Sequence, residues 1–153
     1  MMKTKMKLTF TFFLIMLGLS PVHAFECKEV IDQEYFSVGD SDFQYHYHFQ
    51  KKGEAELKIY FEELDDQDKE KITSESYRGK YSVDAQKLTL EIKVRDELHK
   101  IVFDCKDKVQ YMNAGAFDQG LIPKKRTPEH HSFSGVPLFK KDSKVIKAYL
   151  MKH

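Results

Sequence analysis

The segment KLTLEIKVRDELHKIVFDC, residues Lys87–Cys105, decides the fold of this chain. Polar and apolar residues alternate along it with a period of two, on both sides of one tight connection at Asp96-Glu97. The positions that share the inner face are Leu88, Leu90, Ile92 and Val94, then His99, Ile101, Phe103 and Cys105. Because such alternation places one face of a strand in a core and the other in water, the segment predicts an antiparallel β-hairpin.

The same alternation predicts three further strands upstream, near Phe43–Gln50, Leu57–Glu62 and Glu75–Asp84. Gly79 interrupts the last of these and indicates a bulge or a bend. The acidic segment Asp65–Lys71 is compatible with one helical turn between strands.

The segment after Asp107 predicts a short strand over Val109–Met112 and then a long connection, Asn113–Pro128. A connection of that length inside a compact domain is uncommon, which favours a functional loop or local disorder.

The tail predicts a last hairpin, from His131–Phe139 and Val145–Met151, with a C-terminal helix capped by Asp142 or Ser143 as the alternative. The whole pattern predicts an all-β, single-domain antiparallel meander, curled into a small barrel or half-barrel. A two-sheet sandwich is the alternative.

The first 24 residues resemble a cleaved secretory signal peptide. Lys3, Lys5 and Lys7 precede the apolar run Leu8–Leu19, and the small residue Ala24 ends the segment. The apolar run is shorter than the about 20 residues that a membrane-spanning helix needs, so no membrane span is expected. We therefore expect residues 25–153 to form one soluble β domain that is periplasmic or secreted.

Cys27 and Cys105 are the two cysteines of the chain. An exported chain meets an oxidising compartment, so these cysteines are expected to form a disulfide. Zinc binding by the two thiolates is the weaker interpretation.

Charge and motifs exclude several function classes. Removing Lys3, Lys5 and Lys7 from the 25 basic residues leaves 22 against 24 acidic residues, a balance that gives no reason to expect a nucleic-acid partner. There is no glycine-x-serine-x-glycine nucleophile motif, and no carboxylate pair is recognisable as an acid–base system. The expectation is a non-enzymatic protein with no cofactor.

Two sets of residues are candidates for binding. Aromatic rings on the inner face of the strands line a potential site for a small apolar ligand. These are Tyr45, Tyr47, Tyr77, Tyr81 and Phe103. On the long connection, apolar residues beside basic ones are typical of protein docking. These are Phe117, Leu121, Ile122, Lys124, Lys125 and Arg126.

Histidines provide a third candidate. His46 and His48 are two residues apart on a predicted strand, so both rings project from one face, and His130 could add a ligand from the tail. Imidazole groups in this arrangement suit zinc or copper.

The leading hypothesis is an exported, monomeric binding module for a protein partner or a small apolar ligand, and a periplasmic zinc- or copper-binding protein is the alternative.

Overall fold

The computed structural model describes residues 24–37, 43–110, 116–129, 133 and 135–150. The predicted signal segment up to residue 23 lies outside the described residues. The strands are β1 (Gln33–Ser37), β2 (Phe43–Phe49), β3 (Glu54–Leu64), β4 (Glu70–Asp84), β5 (Lys87–Val94), β6 (Glu97–Gln110), β7 (Phe117–Thr127) and β8 (Leu138–Lys140). One helix, α1 (Lys144–Leu150), follows, and short 3₁₀ turns cover Cys27–Val30 and Lys51–Gly53.

The eight strands form a closed antiparallel barrel in which each strand pairs with the next and β8 pairs back with β1. The prediction of an all-β meander barrel is therefore confirmed, and the sandwich alternative is wrong. Closure satisfies the backbone donors and acceptors that an open sheet would leave at its two edges.

The barrel interior is filled by the alternating positions that the sequence predicts. In the β5–β6 hairpin Leu90 lies opposite Ile101 and Leu88 opposite Phe103, and all four side chains are buried. The turn at Arg95 and Asp96 joins these two strands. Their outward-facing neighbours are the charged and polar residues of the same alternation.

The N-terminal 3₁₀ turn closes one end of the barrel. Its residues Cys27 and Val30, and Phe25 just before it, belong to the buried core. The Cys27 backbone N–H donates to the carbonyl oxygen of Ala85 at 3.0 Å. A disulfide joins Cys27 to Cys105 with their Cα atoms 5.5 Å apart, as predicted.

Phe133 covers the opposite end. Its ring makes an edge contact with Tyr45 and another with His99, and its carbonyl oxygen accepts a hydrogen bond from the Tyr47 hydroxyl at 2.7 Å. The N-terminal turn and Phe133 thus add to the core from outside the strands.

The prediction of a long loop over Asn113–Pro128 is wrong, because most of that segment is β7. Gly120 and Pro123 both lie within β7 and do not end the strand. A Cβ atom on Gly120 would lie 3.2 Å from Val109 Cγ2, so glycine permits Val109 to pack closely. Pro123 lies beside a register shift between β6 and β7, where the ladder is already interrupted.

The predicted C-terminal hairpin is also wrong, and the helical alternative is confirmed. Only Leu138–Lys140 is a strand in the described part of the tail, and α1 follows it. The Ser143 hydroxyl oxygen accepts a hydrogen bond from the Ile146 backbone N–H at 3.2 Å, which is an N-cap contact. Val145 and Ile146 pack with Phe139 in a small second cluster around α1 and β8.

The segment Asp65–Lys71 is a hairpin turn rather than a helical turn. One carboxylate oxygen of Asp65 accepts hydrogen bonds from the backbone N–H groups of Gln67 and Lys69, at 2.8 and 2.9 Å. β3 pairs along its full length with residues Glu70 to Lys80 of β4, up to this turn.

Candidate functional site

The aromatic residues predicted to hold a ligand fill the core instead. Tyr47, Phe103 and Tyr45 are at most 3% exposed, and the Tyr47 ring contacts both Phe49 and Phe103. Tyr77 lies at the margin of this core and is only partly buried. The rings therefore pack against one another, as inward-facing side chains do in the interior of a small barrel.

The hydroxyl groups of two of these tyrosines donate hydrogen bonds to backbone carbonyls outside the strands. Tyr47 donates to the Phe133 carbonyl, and Tyr81 donates to the Gln50 carbonyl at 2.6 Å. Burial raises the pKa of both hydroxyls, so each stays a hydrogen-bond donor at neutral pH. These two hydroxyl groups therefore have a structural role.

The six predicted docking residues are distributed over β7 and do not act as one surface. Leu121 is fully buried inside the barrel, and Ile122 packs partly against the outer cluster of α1 and β8. Arg126 is partly buried, and its guanidinium lies against Gly135. Lys124 and Lys125 are exposed on the outside of the barrel.

Those two lysines join a basic surface that spans three strands. We define the basic face as the charged residues at the outward-facing alternating positions of β5 and of β6 as far as Lys106, together with Lys124 and Lys125 of β7. Its lysines are Lys87, Lys93, Lys100, Lys106, Lys124 and Lys125, and its acidic residues are Glu91 and Asp104. The strand registers bring these residues together, since Lys100 lies opposite Glu91 and Val102 lies opposite Lys125.

The two acids of the basic face are already engaged. Asp104 lies 3.9 Å from the Nζ atoms of both Lys106 and Lys124, and Glu91 lies 3.4 Å from Lys100 Nζ. The lysine ammonium groups are about half exposed or more, so they remain accessible to solvent. The basic face therefore carries a clear excess of positive charge in a chain that is close to neutral.

Phe117 extends the basic face at the start of β7. Its ring is 49% exposed, and the Nζ atom of Lys108 lies 4.1 Å from the ring centroid. An exposed aromatic ring that also contacts a cation is a common feature of protein-binding surfaces. Phe117 is the one predicted docking residue that is both apolar and exposed.

Acidic residues concentrate at the end of the β3–β4 hairpin. The β3–β4 hairpin carries Glu62, Glu63, Asp65, Asp66, Asp68 and Glu70, and all are exposed. The acidic hairpin and the basic face thus separate the two signs of charge onto different strands. Sequence reasoning missed this separation because the basic residues come from three strands.

The histidines lie on the outer face of β2. His46 stacks on Phe36 with ring centroids 4.3 Å apart, and its Nε2 atom lies 3.6 Å from a carboxylate oxygen of Glu34. Burial lowers the pKa of His46, against the smaller raising effect of Glu34. His48 occupies the next outward position of the same strand, while His130 lies outside the described residues.

Glu34 already forms an ion pair with a lysine. Lys141 Nζ donates to Glu34 Oε2 at 3.0 Å, and this hydrogen bond is the main reason why the pKa of Glu34 is lowered. A metal ion at His46 would therefore compete with Lys141 for this carboxylate. Within the described residues, no group of three or more His, Cys, Asp or Glu side chains is arranged to hold a metal ion.

A polar recess of about 300 Å³ lies beside the N-terminal turn, between β1, β7 and the start of α1. Its acidic residue Asp118 accepts hydrogen bonds from the backbone N–H groups of Gln119 and Lys144 at 2.8 and 2.9 Å. Tyr35 lines the recess, and burial raises its pKa, with smaller contributions from Glu29 and Asp142. Asp118 therefore anchors α1 to the barrel.

No protein-family model matches the chain, and the comparisons with curated proteins and with solved structures also return no match. In the part of the chain that the structure describes, no helix is long and apolar enough to span a membrane. Geometry and charge are therefore the basis for a functional proposal.

Proposed function

We propose that this chain is an exported, non-enzymatic binding module that engages an acidic protein partner through its basic face. The observation that carries the proposal is the basic face, in which six lysines lie around Glu91 and Asp104. The other exposed acids of β6, Glu97 and Asp107, lie outside this alternating set. Complementary charge across an interface steers association and selects partners. A periplasmic or secreted location follows from the resemblance of the first 24 residues to a signal peptide and is supported by the disulfide.

The pattern of charge favours a protein partner over a uniform polyanion. Glu91 and Asp104 lie among the lysines, and Val102 and Thr89 provide uncharged positions between them. A nucleic acid or a sulfated polysaccharide presents only negative charge, which the two acids would repel. A protein surface can place acids opposite the lysines and neutral groups opposite the acids.

The small-ligand version of this function has less support, because the aromatic interior is packed and Phe133 and the N-terminal turn pack against it. The metal-binding alternative rests on His46, whose Nε2 atom is buried without a hydrogen bond. Zinc titration of the wild-type chain and of the double variant His46→Ala/His48→Ala tests that alternative. Equal affinity in the two chains eliminates it.

The test of the basic face is a charge-reversal variant, Lys106→Glu/Lys124→Glu/Lys125→Glu. The matched control, Lys52→Glu/Lys69→Glu/Lys147→Glu, makes the same change in net charge at exposed lysines that are not on β5, β6 or β7. Immobilised wild-type, variant and control chains are incubated with the exported fraction of the host, and each retained protein is then purified for affinity measurement. We expect an acidic protein that binds wild type and control and binds the variant at least about tenfold more weakly at physiological salt.

Two outcomes contradict the proposal. One is a partner that binds the charge-reversal variant as tightly as wild type. The other is that heparin or duplex DNA binds the basic face more tightly than any retained protein, which would assign the surface to a polyanion.

A further inference from the structure

The segment that leads into the N-terminal turn is held against β6 by two contacts. The backbone N–H of Phe25 donates to a carboxylate oxygen of Asp107, and the disulfide joins Cys27 to Cys105, two residues away on each side. The Cys27 N–H also donates to the Ala85 carbonyl at 3.0 Å. The backbone nitrogen of Phe25 is therefore held in a fixed place beside the Asp107 carboxylate.

A β-bulge directs Asp107 toward this nitrogen. The register of β6 against β7 shifts between Lys106 and Val109, so two residues of β6 there occupy the length of one residue of β7. Bulges of this kind change the direction of a side chain. Cys105 packs in the barrel core, whereas Asp107 is exposed and Val109 packs in the outer cluster of α1 and β8. The carboxylate of Asp107 thus leaves the inward alternation of β6 and meets the N-terminal segment.

The peptide bond before Phe25 marks the boundary of the core. Phe25 is 2% exposed and belongs to the core cluster, whereas Ala24 is exposed. The signal segment is expected to end at Ala24, and its removal leaves every described strand, the core cluster and the disulfide in the chain. Cleavage of this bond would therefore place a new chain terminus directly beside Asp107.

Cleavage also changes the group that donates to Asp107. Hydrolysis of the Ala24–Phe25 bond by an endopeptidase of the export machinery consumes one water molecule. At neutral pH Ala24 then carries a carboxylate and Phe25 an α-ammonium group. A neutral donor with one N–H becomes a cation with three. Because hydrogen bonds between ionised groups are about twice as strong as neutral ones, the same contact becomes a stronger one.

We propose that Asp107 is the acceptor for the α-ammonium group that processing creates at Phe25, and that this ion pair stabilises the N-terminal turn of the exported domain. The inference rests on the export part of the proposed function. It is independent of the basic face, which does not include Asp107. A chain that retains the preceding residues keeps the amide hydrogen bond but lacks the ion pair, so processing itself adds to the stability of the fold.

The first measurement is the intact mass of the protein after export of the full-length chain from a bacterial host. The expected mass is that of residues 25–153 with the Cys27–Cys105 disulfide formed. A mature chain that begins at any residue other than Phe25 overturns the proposal, because its ammonium group lies elsewhere. An exported chain that keeps the whole signal segment overturns the expectation of processing as well.

A thermodynamic cycle tests the ion pair itself. Asp107→Asn is made in the chain 25–153 and in a longer chain that begins at Val22, in which an amide N–H donates to residue 107. Asparagine keeps an oxygen that can accept a hydrogen bond, so the substitution removes the charge alone. In urea denaturation at low salt, Asp107→Asn should raise the equilibrium constant for unfolding in both chains. We expect the increase to be at least about threefold larger in the chain that begins at Phe25.

Salt and a matched variant are the controls. The larger effect in the chain 25–153 should decrease when NaCl is raised to about 1 M, because salt screens an exposed ion pair. Asp66→Asn removes the charge of an exposed acid on the β3–β4 hairpin and should have the same effect in both chains. Equal effects of Asp107→Asn in the two chains overturn the proposal while leaving the basic face and export unchanged. A difference that high salt does not reduce also contradicts it.

Discussion

Removal of the Cys27–Cys105 disulfide is expected to destabilise this barrel strongly. The bond links residues 78 positions apart, and both half-cystines are buried. It holds the N-terminal turn over one end of the barrel, where Phe25 and Val30 complete the core. Without the bond the folded contacts can remain, but the unfolded chain gains conformational freedom.

The magnitude follows from the size of the closed loop. The chain-entropy relation for about 78 residues gives a loss of about 4.5 kcal/mol in the free energy of unfolding at 25 °C. Small domains are usually stable by only 5–15 kcal/mol, so this is roughly a third or more of the total. With an unfolding entropy of about 2.1 cal/mol/K per residue, the corresponding decrease in Tm is about 15 °C.

Urea denaturation separates the effect of the bond from that of the sulfur atoms. The oxidised wild-type chain is compared with the reduced wild-type chain and with Cys27→Ala/Cys105→Ala. The reduced chain keeps both sulfur atoms in the core, so its loss reports the bond, and the alanine variant is expected to lose somewhat more. The m-value should increase in both, because an unlinked unfolded chain exposes more surface.

A loss below about 1 kcal/mol in the reduced chain would refute the loop-entropy reasoning. Labelling of both cysteines by an alkylating reagent, in native protein without reductant, would refute the disulfide itself.

Three further changes test individual contacts. Tyr47→Phe removes the hydrogen bond to the Phe133 carbonyl and leaves that buried oxygen without this donor, so we expect a loss of about 1–3 kcal/mol in urea denaturation; an unchanged midpoint contradicts this role. Ser143→Ala removes the cap at the Ile146 N–H group, and we expect it to lower the free energy of unfolding in urea by about 1 kcal/mol. Its control is Ser82→Ala, on the exposed face of β4, which should change that free energy little. Burial lowers the pKa of His46 in the folded state, so its protonation favours unfolding: this contribution to stability is complete above about pH 6.5 and is lost as the pH falls below that value. His46→Gln should therefore flatten the pH dependence of urea stability between about pH 6.5 and 5, by at most about 1.4 kcal/mol per pH unit, and a slope equal to that of wild type contradicts the assignment.

Prediction from the sequence succeeded where a strand carries its own signal. Lys87–Cys105 alternates on both sides of its turn, so both strands of its hairpin and the inward direction of Cys105 could be recognised from local pattern alone. The candidate site was recognised only in part. Lys124 and Lys125 were identified, but Lys87, Lys93, Lys100 and Lys106 were not, because residues from three strands become neighbours only through the registers of β5, β6 and β7.

Prediction failed where tertiary contacts override local propensity. Phe117–Thr127 contains Gly120 and Pro123, which favour a loop in isolation. In the folded chain this segment lies between β6 and β8, where its backbone groups are needed to close the barrel. The helix Lys144–Leu150 presents the opposite case, since Val145 and Ile146 suit a strand but pack against Phe139 on the outside of the barrel.

The sequence by itself determined the all-β class, the succession of the central strands from β2 to β6, the pairing of the two cysteines and the inward direction of the aromatic rings. These properties depend on alternation within short segments and on the presence of a single cysteine pair. The tertiary structure alone decided that β7 is a strand, that the lysines of three strands form one face and that β4 extends beyond β5. Those properties depend on strand register and barrel closure, which are set by hydrogen bonds and packing between residues distant in the chain.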